Sequence, residues 1–441
     1  MTTAAGPTEW SGATDHTDER HVAPVRPAVD PFREPPTGWE FAGPGTPLRS
    51  RDVTVAFLGR IPLHAKAVQL LYRTADMHGE PATTCTTVLV APDAAPTQER
   101  PILSFQCAID SLAPEAFPSY SLRHRAPTTG EVVQLELLLI ANALAQGWVV
   151  SVPDHEGAQG NWGAPREAGH CALDGVRAAV RHGGFDLTAR SAVAFWGYSG
   201  GGWATSWAAE LAADYAPELH TVGAVLGSPV GDPELVFRRA NGHLFSGLAG
   251  LVIAGLTRSY PTMRALVDEH VDLPGQALLD KAISWPTQQA IMRMAFRDFG
   301  KHLDVSVSTF LELPDMQAVF ADIRPGRGRP AMPLLVMQAV HDQIVPVAGV
   351  DRMVDELTAH GAQVTYVRDR LSEHFLLHIV SGPLVLGWLT DRIAGVPEIG
   401  SSTTTVRSVL APIRRLRNGV RMLRVCVRVF RGRPLRGGSS G

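Results

Sequence analysis

The chain contains 441 residues, 45% of them hydrophobic and 19% charged, which is the composition of a globular protein with one large core and an insertion, or of two ordinary domains. The formal net charge is −3, but ten arginines and no acidic residue lie between Val406 and Gly441, so residues 1–405 carry about −13. An acidic body of this kind argues against a nucleic-acid-binding protein.

The N-terminal segment, residues 1–30, is polar, acidic and rich in proline, and we expect it to be disordered. Its first 20 residues contain no apolar segment typical of a secretory signal. The longest apolar run, 244–256, is too short to span a bilayer. The sequence therefore leaves secreted, cytoplasmic and membrane-associated locations open.

Strand-like and helix-like segments then alternate along the chain. Longer runs with helical spacing predict helices at 131–147, 170–183 and 201–216. Short runs of apolar and β-branched residues predict strands at 65–74, 84–92, 101–107, 147–154, 190–197, 221–229, 333–340 and 362–369. This alternation predicts an α/β protein with a doubly wound, mostly parallel sheet.

One long stretch, between residues 229 and 330, interrupts the alternation. Its patterns are helical and no strand is predicted in it, so we expect a helical cap, or lid, inserted into the core. The expected organisation is therefore a disordered segment at 1–30, a core at 31–230 and 330–398, a cap at 231–329 and a basic C-terminal tail at 399–441.

A serine between glycines, in the stretch FWGYSGGGWAT, is the first candidate for chemistry. Gly197 and Gly201 flank Ser199, which lies between a predicted strand and a predicted helix. A sharp turn at this position holds a nucleophilic hydroxyl above the strand ends and accepts only small neighbours. The motif predicts that Ser199 is a nucleophile, provided that a base and an acid lie nearby.

The base and the acid are predicted to be His374 and Asp342. Asp342 directly follows the strand at 333–340, and His374 lies in the loop after the next strand, so the order serine, acid, histidine fits this type of nucleophile turn. Asp351 and Asp355 compete with Asp342 but fall in a helical pattern. His378 competes with His374, and we interpret it as a structural histidine.

Seven stretches make the chain resemble the secretory lipase family, which is the lipase A type of α/β-hydrolase. The resemblance implies an α/β-hydrolase core with a helical lid, a Ser199–Asp342–His374 triad, and hydrolysis of acylglycerols or other carboxylic esters without a metal or cofactor. Members are normally secreted and often carry disulfides, features that this chain does not suggest. The stretches are 30–53, 103–122, 147–157, 197–205, 241–263, 341–346 and 372–374.

The same resemblance implies an oxyanion hole formed by Gly200 and Asp110. An ionised carboxylate would repel the developing oxyanion, so Asp110 contributes either its backbone N–H or a neutral carboxyl group whose pKa burial has raised. We favour the backbone N–H. An acyltransferase, a peptidase or a short-chain carboxylesterase or deacetylase could use the same triad, and these alternatives stay open.

The C-terminal tail shows apolar residues at steps of three and four with arginines between them, from Val406 to Phe430. This pattern is typical of a basic amphipathic helix that contacts an anionic membrane, although a strand or a disordered extension also fits. Of the four cysteines, Cys85, Cys107, Cys171 and Cys426, none forms a metal-binding motif. We expect free thiols, with a Cys85–Cys107 bridge as the other arrangement.

Overall fold

A ten-stranded sheet forms the core of the protein, as seen in a computed structural model that describes residues 23–92, 97, 99–127, 132–411 and 413–435. The strand order is β1-β4-β5-β7-β6-β8-β9-β10-β11-β12. The first three pairs in this order, β1-β4, β4-β5 and β5-β7, are antiparallel. The other pairs of the sheet are parallel. The sheet strands are β1 (Pro47–Val53), β4 (Lys66–Ala75), β5 (Pro81–Val90), β6 (Ile102–Gln106), β7 (Val149–Pro153), β8 (Val193–Tyr198), β9 (Thr221–Gly227), β10 (Leu334–Ala339), β11 (Val364–Asp369) and β12 (Ser402–Val406), and a separate hairpin consists of β2 (Ala56–Phe57) and β3 (Ile61–Pro62).

Helices cover both faces of this sheet, as the alternating pattern predicts. One hydrophobic cluster holds residues of α2, α13, α14 and α15, and a second cluster on the other face holds residues of α3, α4 and α12. Burial on both faces explains why the central strands read as continuous apolar runs. The helices of the core are α1 (Pro118–Ser121), α2 (Val132–Leu144), α3 (Pro165–His182), α4 (Gly200–Tyr215), α12 (Val347–Ala359), α13 (His374–Val380), α14 (Gly382–Ile393) and α15 (Ile413–Phe430).

The stretch between β9 and β10 contains seven α-helices and a short 3-10 helix, Phe299–His302, and none of its described residues lies in a strand of the sheet. These helices lie between Pro233 and Ile323, inside the range 231–329 that the sequence predicts as a cap. Its apolar side chains form a third cluster that also contains Trp203 and Trp207 of α4, so the lid packs directly on the core. The lid helices are α5 (Pro233–Ala240), α6 (Ser246–Ser259), α7 (Pro261–His270), α8 (Leu273–Ala282), α9 (Thr287–Met294), α10 (Val307–Leu311) and α11 (Pro314–Ile323).

The N-terminal segment differs in part from the expectation that residues 1–30 are disordered. Residues 1–22 lie outside the described part, but Pro27–Val29 forms a short 3-10 helix. Asp30 and Arg51 are both buried and form an ion pair of 2.7 Å between Oδ2 and Nη2. The acidic composition of the segment predicted exposure, because a carboxylate is buried only where a cation neutralises it. Arg51 provides that cation for Asp30.

The C-terminal tail also differs from the expectation of a separate unit at 399–441. Ser402–Val406 is the edge strand β12, parallel to β11, and α15 packs against α2 and α14. The strand is polar and exposed, because an edge strand needs only backbone hydrogen bonds, so hydrophobic periodicity could not reveal it. The helix is the predicted amphipathic one, and the strand alternative for this stretch is wrong.

All four cysteines are free thiols, and Cys85, Cys107 and Cys171 are buried. Burial raises the pKa of the Cys85 thiol to about 11, which keeps it protonated at neutral pH. Among the helices that the structure describes, none combines the length and the apolar character that crossing a bilayer requires.

Candidate active site

The turn at Ser199 connects β8 to α4 and has a strained backbone. The φ and ψ angles of Ser199 are 55° and −121°, a conformation that L residues rarely adopt. Its backbone N–H donates a hydrogen bond of 2.8 Å to the Gly227 carbonyl, which fixes the turn against β9. The side chain therefore stands at the carboxyl ends of the parallel strands.

The two glycines of the motif are required by close backbone contacts. A Cβ atom on Gly197 would lie 2.1 Å from the Gly201 carbonyl oxygen. A Cβ atom on Gly201 would lie 2.0 Å from the carbonyl oxygen of Gln106, at the end of β6. Because both obstacles are backbone atoms, no side-chain adjustment relieves the clash.

His374 begins helix α13, directly after the loop that follows β11. Glu373 caps this helix by accepting hydrogen bonds from the Phe375 and Leu376 N–H groups. The His374 N–H donates to Gln343 Oε1 at 3.1 Å, and the Tyr198 hydroxyl donates to the His374 carbonyl oxygen at 2.6 Å. These contacts fix the backbone from which the imidazole projects.

Asp342 follows β10, and both of its carboxylate oxygens accept hydrogen bonds. Oδ1 accepts from the N–H groups of Ile344 and Val345 at 2.8 and 2.7 Å. Oδ2 lies 3.1 Å from Gln338 Nε2 and 3.2 Å from Ser228 Oγ. Burial alone would raise the pKa of Asp342, but His374 and the two N–H groups outweigh it and lower the pKa.

These three residues, which lie far apart in the sequence, meet at one point. His374 Nε2 lies 3.0 Å from Ser199 Oγ, and His374 Nδ1 lies 2.8 Å from Asp342 Oδ2. With Nδ1–H donating to the carboxylate, Nε2 carries the lone pair that accepts the serine proton. The arrangement can therefore generate a serine nucleophile.

The competing residues are occupied elsewhere. The Asp351 carboxylate accepts a hydrogen bond of 2.7 Å from the Tyr366 hydroxyl and pairs with Arg368, and Asp355 is exposed. The His378 ring stacks on Tyr198, with 4.1 Å between the ring centroids, and its Nε2 lies 3.3 Å from the Glu136 carboxylate. Both contacts fit the structural interpretation of His378.

Asp110 and Gly200 lie in contact beside Ser199. A Cβ atom on Gly200 would be 1.9 Å from Asp110 Oδ1, so this approach needs glycine at 200. Asp110 Oδ1 is buried and has no hydrogen-bond partner among the described residues. Burial, with a smaller contribution from the Glu136 carboxylate, raises the pKa of Asp110 to about 7.

The backbone N–H of Asp110 lies on the side of another buried acid, Glu156. Burial raises the pKa of Glu156 well above its usual value, while the N–H groups of Asp110 and Ser111 act in the opposite direction. Both contributions considered from the sequence, the backbone N–H and a neutral carboxyl group, stay predictions, and the buried Oδ1 without a partner among the described residues supports the carboxyl group.

A narrow apolar cavity extends from Ser199 into the lid. Among the described residues that line it, Asp110 and Ser199 are the only ones with a carboxyl or hydroxyl group. The remaining wall is aliphatic and aromatic, and it comes mostly from lid helices. Representative lining residues are Trp162, Trp203, Phe237, Leu248, Ile253, Met263, Phe310 and Phe320.

Two polar residues that hold the acid, Ser228 and Gln338, were missed by sequence reasoning. Gln338 is fully buried within β10, and its amide contacts Asp342 Oδ2. A polar residue inside an apolar strand is the signal that could have revealed it. Ser228, at the end of β9, has a positive φ of 36°, which the sequence does not disclose.

Comparison with known proteins identifies the family. The model of the secretory lipase family matches residues 122–401. This chain belongs to that family. As a secretory lipase it is a carboxylic ester hydrolase with the α/β-hydrolase fold, as the resemblance in the sequence predicted.

Individual relatives match over nearly the whole chain. A Mycobacterium tuberculosis protein named probable inactive lipase is 47% identical, over 97% of this chain and 96% of its own length. Lipase A of Arthroderma benhamiae is 33% identical, over 87% of this chain and 83% of its own length. The structure of Candida antarctica lipase A in its closed state has a TM-score of 0.81 and 26% identity, covering 91% and 95% of the two chains.

Proposed function

We propose that this secretory lipase hydrolyses lipid esters through Ser199, His374 and Asp342. The observation that carries the proposal is the continuous hydrogen-bonded series from Ser199 Oγ to His374 and on to Asp342. The name of the mycobacterial relative describes that protein as inactive, so activity of the present chain is a direct prediction from its own geometry.

In the proposed mechanism, His374 Nε2 takes the proton from Ser199 as Oγ attacks the ester carbonyl. The negative charge on the tetrahedral intermediate is stabilised by the Gly200 N–H and by the neutral carboxyl group of Asp110. Gly200 is the first residue of α4, where an N–H has no acceptor within the helix and the helix dipole favours an anion.

Collapse of this intermediate breaks the bond to the leaving alcohol, which receives the proton from His374. The acyl group is then attached to Ser199 Oγ. Water attacks the acyl-enzyme with His374 again as the base, and the carboxylic acid is released. Asp342, held ionised by its contacts, stabilises the imidazolium in both halves of the reaction.

The apolar cavity supports a lipid ester as the substrate class. An acyl chain placed with its carbonyl at Ser199 would extend between the apolar side chains of the lid, which suits a lipid ester better than a peptide. The short acyl group of a carboxylesterase or deacetylase substrate would contact only a small part of this apolar wall. An acyltransferase differs only in the acceptor of the acyl group.

A panel of p-nitrophenyl esters from acetate to palmitate, with a triacylglycerol emulsion and a peptide amide, tests the proposal. We expect kcat/KM to rise from acetate to longer chains, because each added methylene enters apolar surroundings. Ser199→Ala in the same assays gives the background. Turnover confined to acetyl esters would instead indicate a short-chain esterase, and turnover only with an added alcohol would indicate an acyltransferase.

A further inference from the structure

Helix α15 has an apolar face that is largely exposed. Its apolar stripe, Leu416, Val420, Leu423, Val427 and Phe430, recurs at steps of four and three residues and therefore lies along one side of the helix. These five side chains are between 37% and 64% exposed. Met422 and Val429, on another side, are buried against the core.

A row of cations runs beside this stripe. This arginine flank consists of Arg417, Arg421, Arg424 and Arg431, which are all exposed. Each is separated from the next by about one or two helical turns. Within the described residues, none of these guanidinium groups pairs with a carboxylate. The sequence contains no acidic residue after Glu398, and in the folded chain Asp391 lines the same groove as Arg417 and Arg421, so the region carries a large excess of positive charge.

The apolar stripe continues onto the body of the protein at its C-terminal end. The Phe430 ring packs edge-on against Phe57, with 5.1 Å between centroids. Leu58, the next residue, is 44% exposed, and its N–H donates to Gln134 beside the exposed Leu135. The exposed apolar surface is thus wider than the helix itself.

Two polar contacts on the buried side hold the helix with its apolar stripe facing outward. Asn142 Nδ2 contacts Cys426 Sγ at 3.7 Å, and the Gly432 carbonyl oxygen lies 2.8 Å from His64 Nε2. We propose that the apolar stripe and the arginine flank form a docking surface for an anionic lipid bilayer. The apolar side chains enter the headgroup region while the arginines contact lipid phosphates.

Charge decides between this occupant and a second copy of the chain. Two copies that paired through the apolar stripe would bring two arginine flanks close together, and like charges at an interface are unfavourable. An anionic surface neutralises the arginines instead. Residues 1–22 are also acidic, with Glu9, Asp15, Asp18 and Glu19. This segment is therefore an alternative occupant of the surface, which an experiment must distinguish from a bilayer.

Vesicle co-sedimentation tests the proposal, independently of ester hydrolysis. The full chain carries Ser199→Ala, so that lipids stay intact, and is mixed with phosphatidylcholine vesicles with or without phosphatidylglycerol. We expect affinity for the anionic vesicles to be at least about tenfold higher, and to fall with added salt.

Matched triple variants locate the surface. Val420→Gln/Leu423→Gln/Val427→Gln alters the apolar stripe, and Arg417→Gln/Arg421→Gln/Arg424→Gln alters the flank. Each should weaken vesicle affinity at least about tenfold, with unchanged melting temperature and unchanged hydrolysis of soluble esters in the active background. The control Arg239→Gln/Arg264→Gln/Arg293→Gln removes the same charge from exposed lid positions and should bind as the parent does.

Four results would overturn the proposal. The first is unchanged vesicle affinity in the flank variant, and the second is loss of binding in the lid control, which would place the surface on the lid. The third is that the parent chain does not bind vesicles but self-associates in sedimentation velocity, and that the stripe variant abolishes this self-association. The fourth is vesicle binding only after deletion of residues 1–22, which would make that segment the occupant of the stripe.

Discussion

Among single residues, Asp110 poses the sharpest conflict, because its carboxyl group lies beside Ser199, the proposed nucleophile, where an ionised carboxylate would oppose the oxyanion. Burial resolves this conflict, because it raises the pKa of Asp110 to about 7 and leaves Oδ1 without a partner in the described protein. The protonated form can donate a hydrogen bond, and the ionised form cannot. We therefore expect the proposed oxyanion contribution of Asp110 below about pH 7, and we expect it to be lost as pH rises through that value.

Substitutions at Asp110 separate the side-chain donor from the backbone donor. Its φ of 47° is tolerated by asparagine and glycine, so neither substitution adds the backbone strain of alanine. We expect Asp110→Asn to keep most of the wild-type kcat. Its kcat should fall less at alkaline pH, because the amide group does not lose its hydrogen-bond donor as pH rises. Asp110→Gly should lose about 10²–10³-fold in kcat. Wild-type kcat in Asp110→Gly would show that the backbone N–H alone suffices.

At the scale of elements, the start of helix α4 is shaped by its packing against β6 more than by helix propensity. Gly201→Ala would place a Cβ atom 2.0 Å from the Gln106 carbonyl oxygen. We expect this change to lower the free energy of unfolding by about 1–3 kcal/mol, because the clash is with backbone. Thermal or urea unfolding measures it.

Gly419→Ala in α15 is the matched control for that substitution. The nearest atom to the new Cβ would be Pro383 Cγ at 3.7 Å, an ordinary van der Waals contact. Alanine should therefore stabilise the protein by about 0.5–1 kcal/mol through helix propensity alone. Equal effects of the two alanines on stability would contradict the packing argument.

The elements that sequence predicted and those that it missed differ in burial. The central strands are continuous apolar runs, and they were predicted within a few residues, as were helices α2, α3 and α4 and the positions of Ser199, Asp342 and His374 after strand ends. β12 and the buried Asp30 left no such signal, because one is a polar edge and the other depends on a distant arginine. Ser228 and Gln338 act through contacts with Asp342 that only the folded chain creates.

At the scale of the whole molecule, the C-terminal region completes the core. Val409, Met422, Val429 and Leu435 belong to the cluster under one face of the sheet. Burying four such side chains contributes roughly 6–12 kcal/mol at about 1.5–3 kcal/mol each, which is comparable with the total stability of a typical protein. Residues after 400 are therefore part of the fold as well as part of the proposed membrane surface.

A chain that ends at Gly400 should accordingly lose its cooperative melting transition and become insoluble. The measurement is a thermal unfolding curve and the soluble yield. The full-length Val420→Gln/Leu423→Gln/Val427→Gln variant, which alters only exposed side chains of the same helix, should melt as the wild type does. A shortened chain that melts within a few degrees of the full chain would contradict this account.

Covalent labelling with a p-nitrophenyl alkylphosphonate tests whether Ser199 is the nucleophile. Attack by Ser199 Oγ forms an O–P bond and releases p-nitrophenolate, leaving an adduct that intact mass and peptide mapping locate. We predict one adduct per chain, on Ser199, with much slower labelling in His374→Ala and none in Ser199→Ala. An adduct on another residue, or full labelling of Ser199→Ala, would contradict the account.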